Sequence, residues 1–108
     1  MAQYDIDVTV SNEPPTFWAT ADIGPLGIAT SRNANGDWEG KAKAVQLTLP
    51  VQFNVSARGL PNRPVNVEIT LTPADGSPMI DYKKAGQLDN QGRYSLNDTL
   101  QVAAKQAP

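Results

Sequence analysis

The chain's two tryptophans are the residues best suited to hold a ligand. Trp18 follows Phe17 in a segment where apolar and polar residues alternate, so the two rings lie on opposite faces of a strand. With Phe17 in the core, Trp18 shares an exposed face with Thr20 and Asp22, where an indole can stack on a sugar or anchor a protein interface. The alternatives are that Trp18 points inward while Phe17 covers one end of the fold, or that a neighbouring subunit buries Trp18.

Trp38 presents the same choice between core, subunit interface and ligand. It comes directly after the turn signal Asn35-Gly36 and next to Asp37. A carboxylate beside an aromatic ring adds the polar contacts that orient a bound sugar or peptide. The candidate binding residues are therefore Trp18, Trp38, Asp22 and Asp37.

Carboxylates provide a second set of candidates. Asp5 and Asp7 lie two residues apart, about 6.6 Å along a strand, a separation that allows paired-carboxylate chemistry but also arises on any solvent-facing strand. Asp75, Asp89 and Asp98 are weak calcium candidates, because hard cations prefer oxygen ligands. Their spacing matches no known calcium loop, and Asp in turns commonly bonds nearby backbone N–H groups. The sequence therefore predicts no metal site.

Histidine and cysteine are both absent from the 108 residues. Their absence excludes Ser-His-Asp and Cys-His catalysis, disulfides, and imidazole or thiolate metal ligands. No phosphate-binding loop or nucleophile-elbow motif occurs either. We therefore expect a protein that is not an enzyme and has no cofactor. An enzyme based on carboxylates or on a Ser/Lys pair ranks third, after the two binding functions described at the end of this subsection.

The charge balance is mildly acidic, with nine Lys/Arg against eleven Asp/Glu. The longest basic run is Lys83-Lys84, which we interpret as the guard of an edge strand, so no nucleic-acid partner is expected. No apolar run approaches the ~20 residues of a membrane span, so no membrane insertion is expected. Residues 1–7 show no signal-peptide pattern. The lack of such a pattern is expected for a cytoplasmic or virion-associated protein, and equally for a mature secreted domain to which Met1 was added.

Eight glycines and nine prolines divide the chain into short segments of alternating polarity, the period of β-strands. Strands are predicted within residues 4–11, 16–23, 26–31, 45–56, 65–71, 79–88 and 94–102. Turn signals at this spacing are typical of an all-β, antiparallel, immunoglobulin-like sandwich of seven to nine short strands with little or no helix. We expect a single domain over residues 1–102, followed by a disordered tail over 103–108.

Residues 45–55 form the longest alternating stretch, with Pro50 in its middle. Because proline cannot donate to a sheet, the stretch is either two strands joined at a bend or one edge strand with a bulge. Residues 38–45 also fit helical spacing, but the regular alternation that follows favours strands.

Two segments, VEITLTPADG (residues 67–76) and GQLDNQGRYSL (residues 86–96), resemble parts of bacterial immunoglobulin-like and transthyretin-like modules. In those modules a strand, an Asp-Gly turn and an Asp-x-x-Gly-x-Tyr-x-Leu corner often follow one another. The resemblance covers about a third of the chain. The chain differs from antibody domains, since it has no cysteine pair and no Trp flanked by cysteines. The resemblance implies a sandwich used for adhesion, spacing or presentation.

These observations together predict a non-catalytic structural or protein-interaction module, of the kind that belongs to bacterial or phage surface assemblies. Such a module would present a sheet face or a loop end to a protein partner, or would associate with itself through an edge strand. The alternative is a small carbohydrate-binding lectin that holds a glycan with exposed Trp and Asp/Asn side chains.

Overall fold

A computed structural model describes residues 2–12, 18–34 and 36–101, which form nine β-strands. The strands are β1 Ala2–Asn12, β2 Trp18–Ile23, β3 Leu26–Ile28, β4 Thr30–Arg32, β5 Trp38–Leu47, β6 Val51–Arg58, β7 Pro64–Pro73, β8 Ile80–Gln87 and β9 Arg93–Leu100. Phe17 and the predicted tail over 103–108 lie outside the described residues. These ranges contain no helix of the length and apolarity that crossing a membrane requires.

The strands form two antiparallel sheets that pack as a sandwich. The five-stranded sheet has the order β4-β5-β1-β7-β8, and the four-stranded sheet has the order β3-β2-β6-β9. Every strand pair in both sheets is antiparallel. The predicted all-β class with seven to nine antiparallel strands is therefore confirmed.

Buried and exposed side chains alternate along the strands, so each sheet has one apolar face, and the two apolar faces pack against each other. In β1 and β7 every second residue is buried, and the same holds for β2 and for most of β6. The core brings together Tyr4, Ile6, Val8, Val10, Ala19, Ala21, Ile23, Ile28, Leu47, Phe53, Val55, Ala57, Val65, Val67, Ile69, Leu71, Ile80, Leu88, Leu96 and Leu100. Burial of this apolar surface is the main favourable contribution to the free energy of folding.

The stretch around Pro50 is two strands joined at a bend, the first of the two predicted alternatives. β5 ends at Leu47 in one sheet, β6 begins at Val51 in the other, and the Leu49–Pro50 peptide bond between them is cis. Residues 38–45 belong to β5, so the helical alternative is wrong.

The pairing of β5 with β1 is irregular near Ala44, which has a φ of 54°. Asp5 of β1 stabilises this irregularity, because its Oδ1 accepts a hydrogen bond of 3.0 Å from the backbone N–H of Ala44.

The predicted single strand over 26–31 is instead two strands, because the chain crosses between the sheets at Ala29. β3 pairs with β2 in the four-stranded sheet, and β4 pairs with β5 in the five-stranded sheet. At the crossing, the Thr30 hydroxyl donates to the backbone carbonyl of Ala19, which ties one sheet to the other. A segment too short to show its own alternation gives no sequence signal for such a change of sheet.

The β8 and β9 edges lie on the same side of the sandwich, and two tyrosines close the gap between them. Tyr82 of β8 donates a hydrogen bond of 2.6 Å to Asp98 Oδ2 of β9, and its ring meets Phe53 edge-on at 4.9 Å. A second contact joins the same two strands, because the Tyr94 ring of β9 lies against Gly86 of β8. A Cβ added at Gly86 would come within 2.5 Å of that ring. Lys83 and Lys84 lie on edge strand β8, the position expected for a guard.

The turn between β8 and β9 docks against the loop that follows β6. Gly92 has a φ of +75°, and its carbonyl accepts a hydrogen bond of 3.0 Å from the N–H of Gly59. Asp89 joins the same contact, because its carbonyl accepts from Asn62 at 3.1 Å. The adjoining ends of β6 and β9 are thereby held in one fixed arrangement.

Gly92→Ala should destabilise the protein far more than Gly76→Ala. An Ala at Gly92 would place its Cβ 2.2 Å from the Gly59 carbonyl oxygen, whereas Gly76 has a similar φ of +83° and nothing within 4 Å. We expect a loss of about 1–2 kcal/mol for Gly76→Ala, from the left-handed conformation alone. For Gly92→Ala the added clash raises the loss to roughly 2–5 kcal/mol. Urea unfolding of both variants measures the difference, and equal losses would contradict the docked turn.

Candidate functional site

The outer surface of the four-stranded sheet gathers polar side chains around one exposed tryptophan. We call it the Trp18 face. It consists of Trp18, Thr20 and Asp22 from β2, Gln52, Asn54, Ser56 and Arg58 from β6, and Arg93, Ser95, Asn97 and Thr99 from β9. Each of these residues alternates with neighbours that point toward the core, so burial of the core determines which side chains reach this face.

One row across the Trp18 face combines an indole with two guanidinium groups. Arg58 lies directly opposite Trp18 on one side and directly opposite Arg93 on the other. Trp18 keeps 39% of its surface exposed, and the Arg58 guanidinium carbon lies 5.8 Å from the centre of the indole ring. That distance is within cation–π range. The pair presents an aromatic surface and a positive charge together.

The next two rows carry hydroxyl and amide groups. Thr20, Ser56 and Ser95 lie side by side, followed by Asp22, Asn54 and Asn97. The Asn54 amide donates to the Asn97 side-chain oxygen, and the Ser56 hydroxyl donates to the Asn54 side-chain oxygen at 3.2 Å. These bonds restrict the side chains, so a ligand that binds them meets groups already held in place.

An open groove of about 350 Å³ lies over the Trp18–Arg58–Arg93 row. Its lining includes these three residues together with Ser56, Ser95 and Asp89. Asp89 belongs to the docked turn and gives the rim one negative charge. The groove therefore offers an indole face, two guanidinium groups and two hydroxyls to a ligand.

Trp38 occupies a different environment on the five-stranded sheet. It pairs with the buried Val10 of β1 and packs partly against the core. Arg32, opposite Trp38 on β4, places its guanidinium carbon 5.5 Å from the ring centre. Asp37 closes the β4–β5 turn, where its N–H donates to the Asn33 side-chain oxygen at 3.1 Å and its carbonyl accepts from the Asn33 N–H at 2.8 Å.

The four predicted binding residues thus divide into two separate places. Trp18 and Asp22 share the Trp18 face, whereas Trp38 and Asp37 belong to the β4–β5 hairpin of the other sheet. Arg58 and Arg93 were missed because their strands are distant from β2 in sequence. A signal was present, since both arginines share the phase of the outward-facing polar residues of their own segments.

The three calcium candidates each bond with nearby groups of the chain. Asp89 Oδ1 accepts from the N–H groups of Gln91 at 2.8 Å and Arg93 at 2.9 Å, and the backbone bonds from Arg93 and Gln91 lower the pKa of Asp89. Hydrogen bonds from Ser77, through its side chain and then its N–H, lower the pKa of Asp75. The Tyr82 hydroxyl and then the Thr99 N–H lower the pKa of Asp98. Each carboxylate therefore has a structural role.

Asp75 and Asp89 lie at opposite ends of β8, and Asp98 lies on β9. Within the described parts of the chain, no three residues among His, Cys, Asp and Glu come together in a way that could hold a metal ion.

The Asp5 and Asp7 carboxylates differ in their surroundings. Asp5 holds the irregularity in β5, as described above. Asp7 interacts with Glu39 of β5 rather than with Asp5, and its Oδ1 is buried without a hydrogen-bond partner among the described residues. Burial raises the pKa of Asp7 most, followed by the hydrogen bond that its protonated carboxyl donates to Glu39 and by repulsion from the Glu39 charge, while Lys41 opposes the shift.

Comparison of the chain with known protein families, with curated protein sequences and with solved structures finds no match.

Truncation of Trp38 should destabilise the protein more than truncation of Trp18. Trp18→Ala removes a ring that is mostly outside the core, so the free energy of unfolding should change by less than about 1 kcal/mol. Trp38→Ala removes a ring that packs against the core, and we expect a loss of about 1–3 kcal/mol, less than for a fully buried ring. Urea unfolding measures both values. A larger loss for Trp18→Ala would show that the indole has a structural role.

Asp7→Asn should stabilise the protein at neutral pH and not at pH 3. Because the folded state raises the pKa of Asp7 above 3.8, the protonated carboxyl favours folding at low pH, and this contribution is lost as pH rises through the folded pKa. Asn resembles the protonated form, so the thermal midpoint at pH 7 should rise by about 2–5 °C.

Asp5→Asn provides the control for this measurement. It removes the same charge from the same strand face and keeps an oxygen for the Ala44 N–H. If Asp7→Asn raised the thermal midpoint equally at pH 3 and pH 7, protonation of Asp7 would not be the cause.

Proposed function

We propose that this chain is a non-catalytic protein-interaction module that binds its partner through the Trp18 face. The observation that carries the proposal is the row in which Trp18, 39% exposed, stands beside Arg58 and Arg93 on the outside of the sheet. Trp and Arg are the residue types in which the binding energy of protein interfaces is most concentrated.

The Trp18–Arg58–Arg93 row is held in a fixed position by the fold, which favours binding. All three residues lie on strands, whose positions are more exact than those of loops. The β8–β9 turn is bonded to the loop that follows β6, so Arg58 and Arg93 emerge from adjoining, fixed strand ends. A partner therefore loses little free energy to ordering this surface.

We further propose that the chain is an immunoglobulin-like or transthyretin-like module of a bacterial or phage surface assembly. The two segments of the resemblance correspond to β7 with its Asp75-Gly76 turn, and to the end of β8 with the Asp89–Gly92 corner and β9. In both turns the Asp side chain accepts backbone N–H bonds and the glycine has a positive φ. These features support the module type, and the exposed row supports a role in assembly.

A glycan-binding lectin is the second candidate function. The observation in its favour is the pair of polar rows beside Trp18, in which Thr20, Ser56 and Ser95 supply hydroxyls and Asn54 and Asn97 supply amides. A sugar stacked on the indole could bond these groups.

Selection from a random peptide library, together with a glycan array, tests the two candidates. Wild-type protein is used beside Trp18→Ala and beside Trp38→Phe, which retains an aromatic ring on the other sheet. We expect peptides that bind wild type and Trp38→Phe but lose binding to Trp18→Ala, since that variant removes the anchor of the Trp18 face.

The outcomes separate the candidates. Glycan binding that depends on Trp18, without selected peptides, would replace the proposal with the lectin function. Peptides that bind Trp18→Ala as well as wild type would contradict the Trp18 face as the binding surface.

A further inference from the structure

Arg58 and Arg93 place two positive charges directly opposite each other on neighbouring strands. Like charges in this arrangement destabilise a sheet. The Cβ atoms of two directly opposite residues are about 4.5–5.5 Å apart, so one anion can contact both arginines. Neither guanidinium forms an ion pair with a carboxylate in the chain segments that the structure describes. The sheet therefore leaves its two arginines with unused capacity for an anion.

Asp89, the carboxylate in the lining of the groove, does not satisfy this capacity. Its charge interacts with both arginines, but its Oδ1 already accepts the backbone N–H groups of Gln91 and Arg93. Two guanidinium groups and one engaged carboxylate leave the rim of the groove net positive. An incoming carboxylate gains from that charge.

The contacts that position each guanidinium leave donors available. Arg58 interacts with the indole of Trp18 as a cation, a contact that uses its charge and not its in-plane N–H groups. Arg93 donates through Nη2 to the Gln91 side-chain oxygen. With five N–H donors on each guanidinium, both retain donors for the two oxygens of a carboxylate.

We propose that the Trp18 face binds an extended peptide segment that places a carboxylate between Arg58 and Arg93 and an apolar side chain on Trp18. This inference rests on the proposed function and names the chemistry of the partner. The hydroxyls of Ser56 and Ser95, in the same groove, contribute polar contacts to the peptide.

The spacing of the row favours a peptide. Neighbouring strands are about 4.8 Å apart, so the midpoint between the two arginines lies about 7 Å from Trp18 across the sheet. In an extended peptide, residues i and i+2 point to the same side and lie about 6.6 Å apart. An acidic residue and an apolar residue at this separation reach the arginine pair and the indole together.

Capped peptides of about eight residues, built from repeated Glu-Ser-Leu-Ser, test the inference because Glu and Leu then lie on one face of the extended chain. Two peptides serve as controls: Gln-Ser-Leu-Ser repeats lack the charge, and Glu-Leu-Ser-Ser repeats place Glu and Leu on opposite faces. A galacturonic acid oligosaccharide tests whether a glycan carboxylate suffices. Isothermal titration measures each affinity.

We expect the Glu-Ser-Leu-Ser peptide to bind at least about tenfold more tightly than either control peptide or the oligosaccharide. The Gln peptide lacks the charged hydrogen-bond acceptor, and the Glu-Leu-Ser-Ser peptide and the oligosaccharide cannot place a carboxylate and an apolar side chain on the row together. Arg58→Gln and Arg93→Gln should each weaken binding about tenfold. Arg58→Lys keeps the charge and loses the paired donors, so its affinity should be intermediate. Raising NaCl from about 0.05 to 0.5 M should weaken wild-type binding.

Two variants on the other sheet serve as matched controls. Arg32→Gln removes an arginine with the same cross-strand cation–π geometry at Trp38, and Lys43→Gln removes an exposed charge from β5. Both should retain wild-type affinity. Circular dichroism of every variant identifies loss of folding.

The result that overturns the inference differs from the one that overturns the proposed function. Equal affinity for the Glu and Gln peptides, or no effect of Arg58→Gln and Arg93→Gln, refutes the carboxylate partner, while library peptides that depend on Trp18 would leave the proposed function standing. Tighter binding of the oligosaccharide than of any peptide refutes the peptide partner. Self-association that both arginine variants abolish also refutes it, in favour of a second copy of the chain.

Discussion

Burial of alternate side chains from β1 and β7 against those of β2 and β6 is the constraint on which this structure depends. Val8, Val65, Ile69 and Val55 are fully enclosed, and each fixes the outward direction of its neighbours in the strand. A shift of one residue in the pairing of β2 with β6 would move Ala19 and Ala21 to solvent and Trp18 into the core. The exposure of Trp18 is therefore a consequence of core packing as much as of its own chemistry.

The two cross-strand Arg–Trp pairs show how one local arrangement acquires different roles. Arg32–Trp38 and Arg58–Trp18 each join residues directly opposite in antiparallel strands. Trp38 lies on the phase of Val10 and contributes packing to one end of the sandwich. Trp18 lies on the opposite phase to Ala19 and stays accessible. What separates the ring that packs against the core from the ring that stays exposed is the phase of the strand and not the neighbouring charge.

Local patterns in the sequence predicted most of the strands, but not the separation of β3 from β4 or the start of β5 at Trp38. The period-two alternation of Tyr4 to Val10 and of Val65 to Leu71 predicted which side chains enter the core, and Asn35-Gly36 predicted the β4–β5 hairpin. The change of sheet at Ala29 and the irregularity at Ala44 were not predicted, since each depends on contacts with distant strands. Likewise, the alignment of Arg58 with Arg93 depends on the pairing of β6 with β9, which local patterns do not specify.

We expect a peptide partner to bind on the outer face of the four-stranded sheet around Trp18. Nuclear magnetic resonance of uniformly ¹⁵N-labelled protein, titrated with the Glu-Ser-Leu-Ser peptide, tests it residue by residue. The largest changes in chemical shift should occur at the Trp18 indole N–H and at the backbone amides of Ser56, Arg58, Arg93 and Ser95. Changes centred on Trp38 and the β4–β5 hairpin, or spread over the five-stranded sheet, would contradict it.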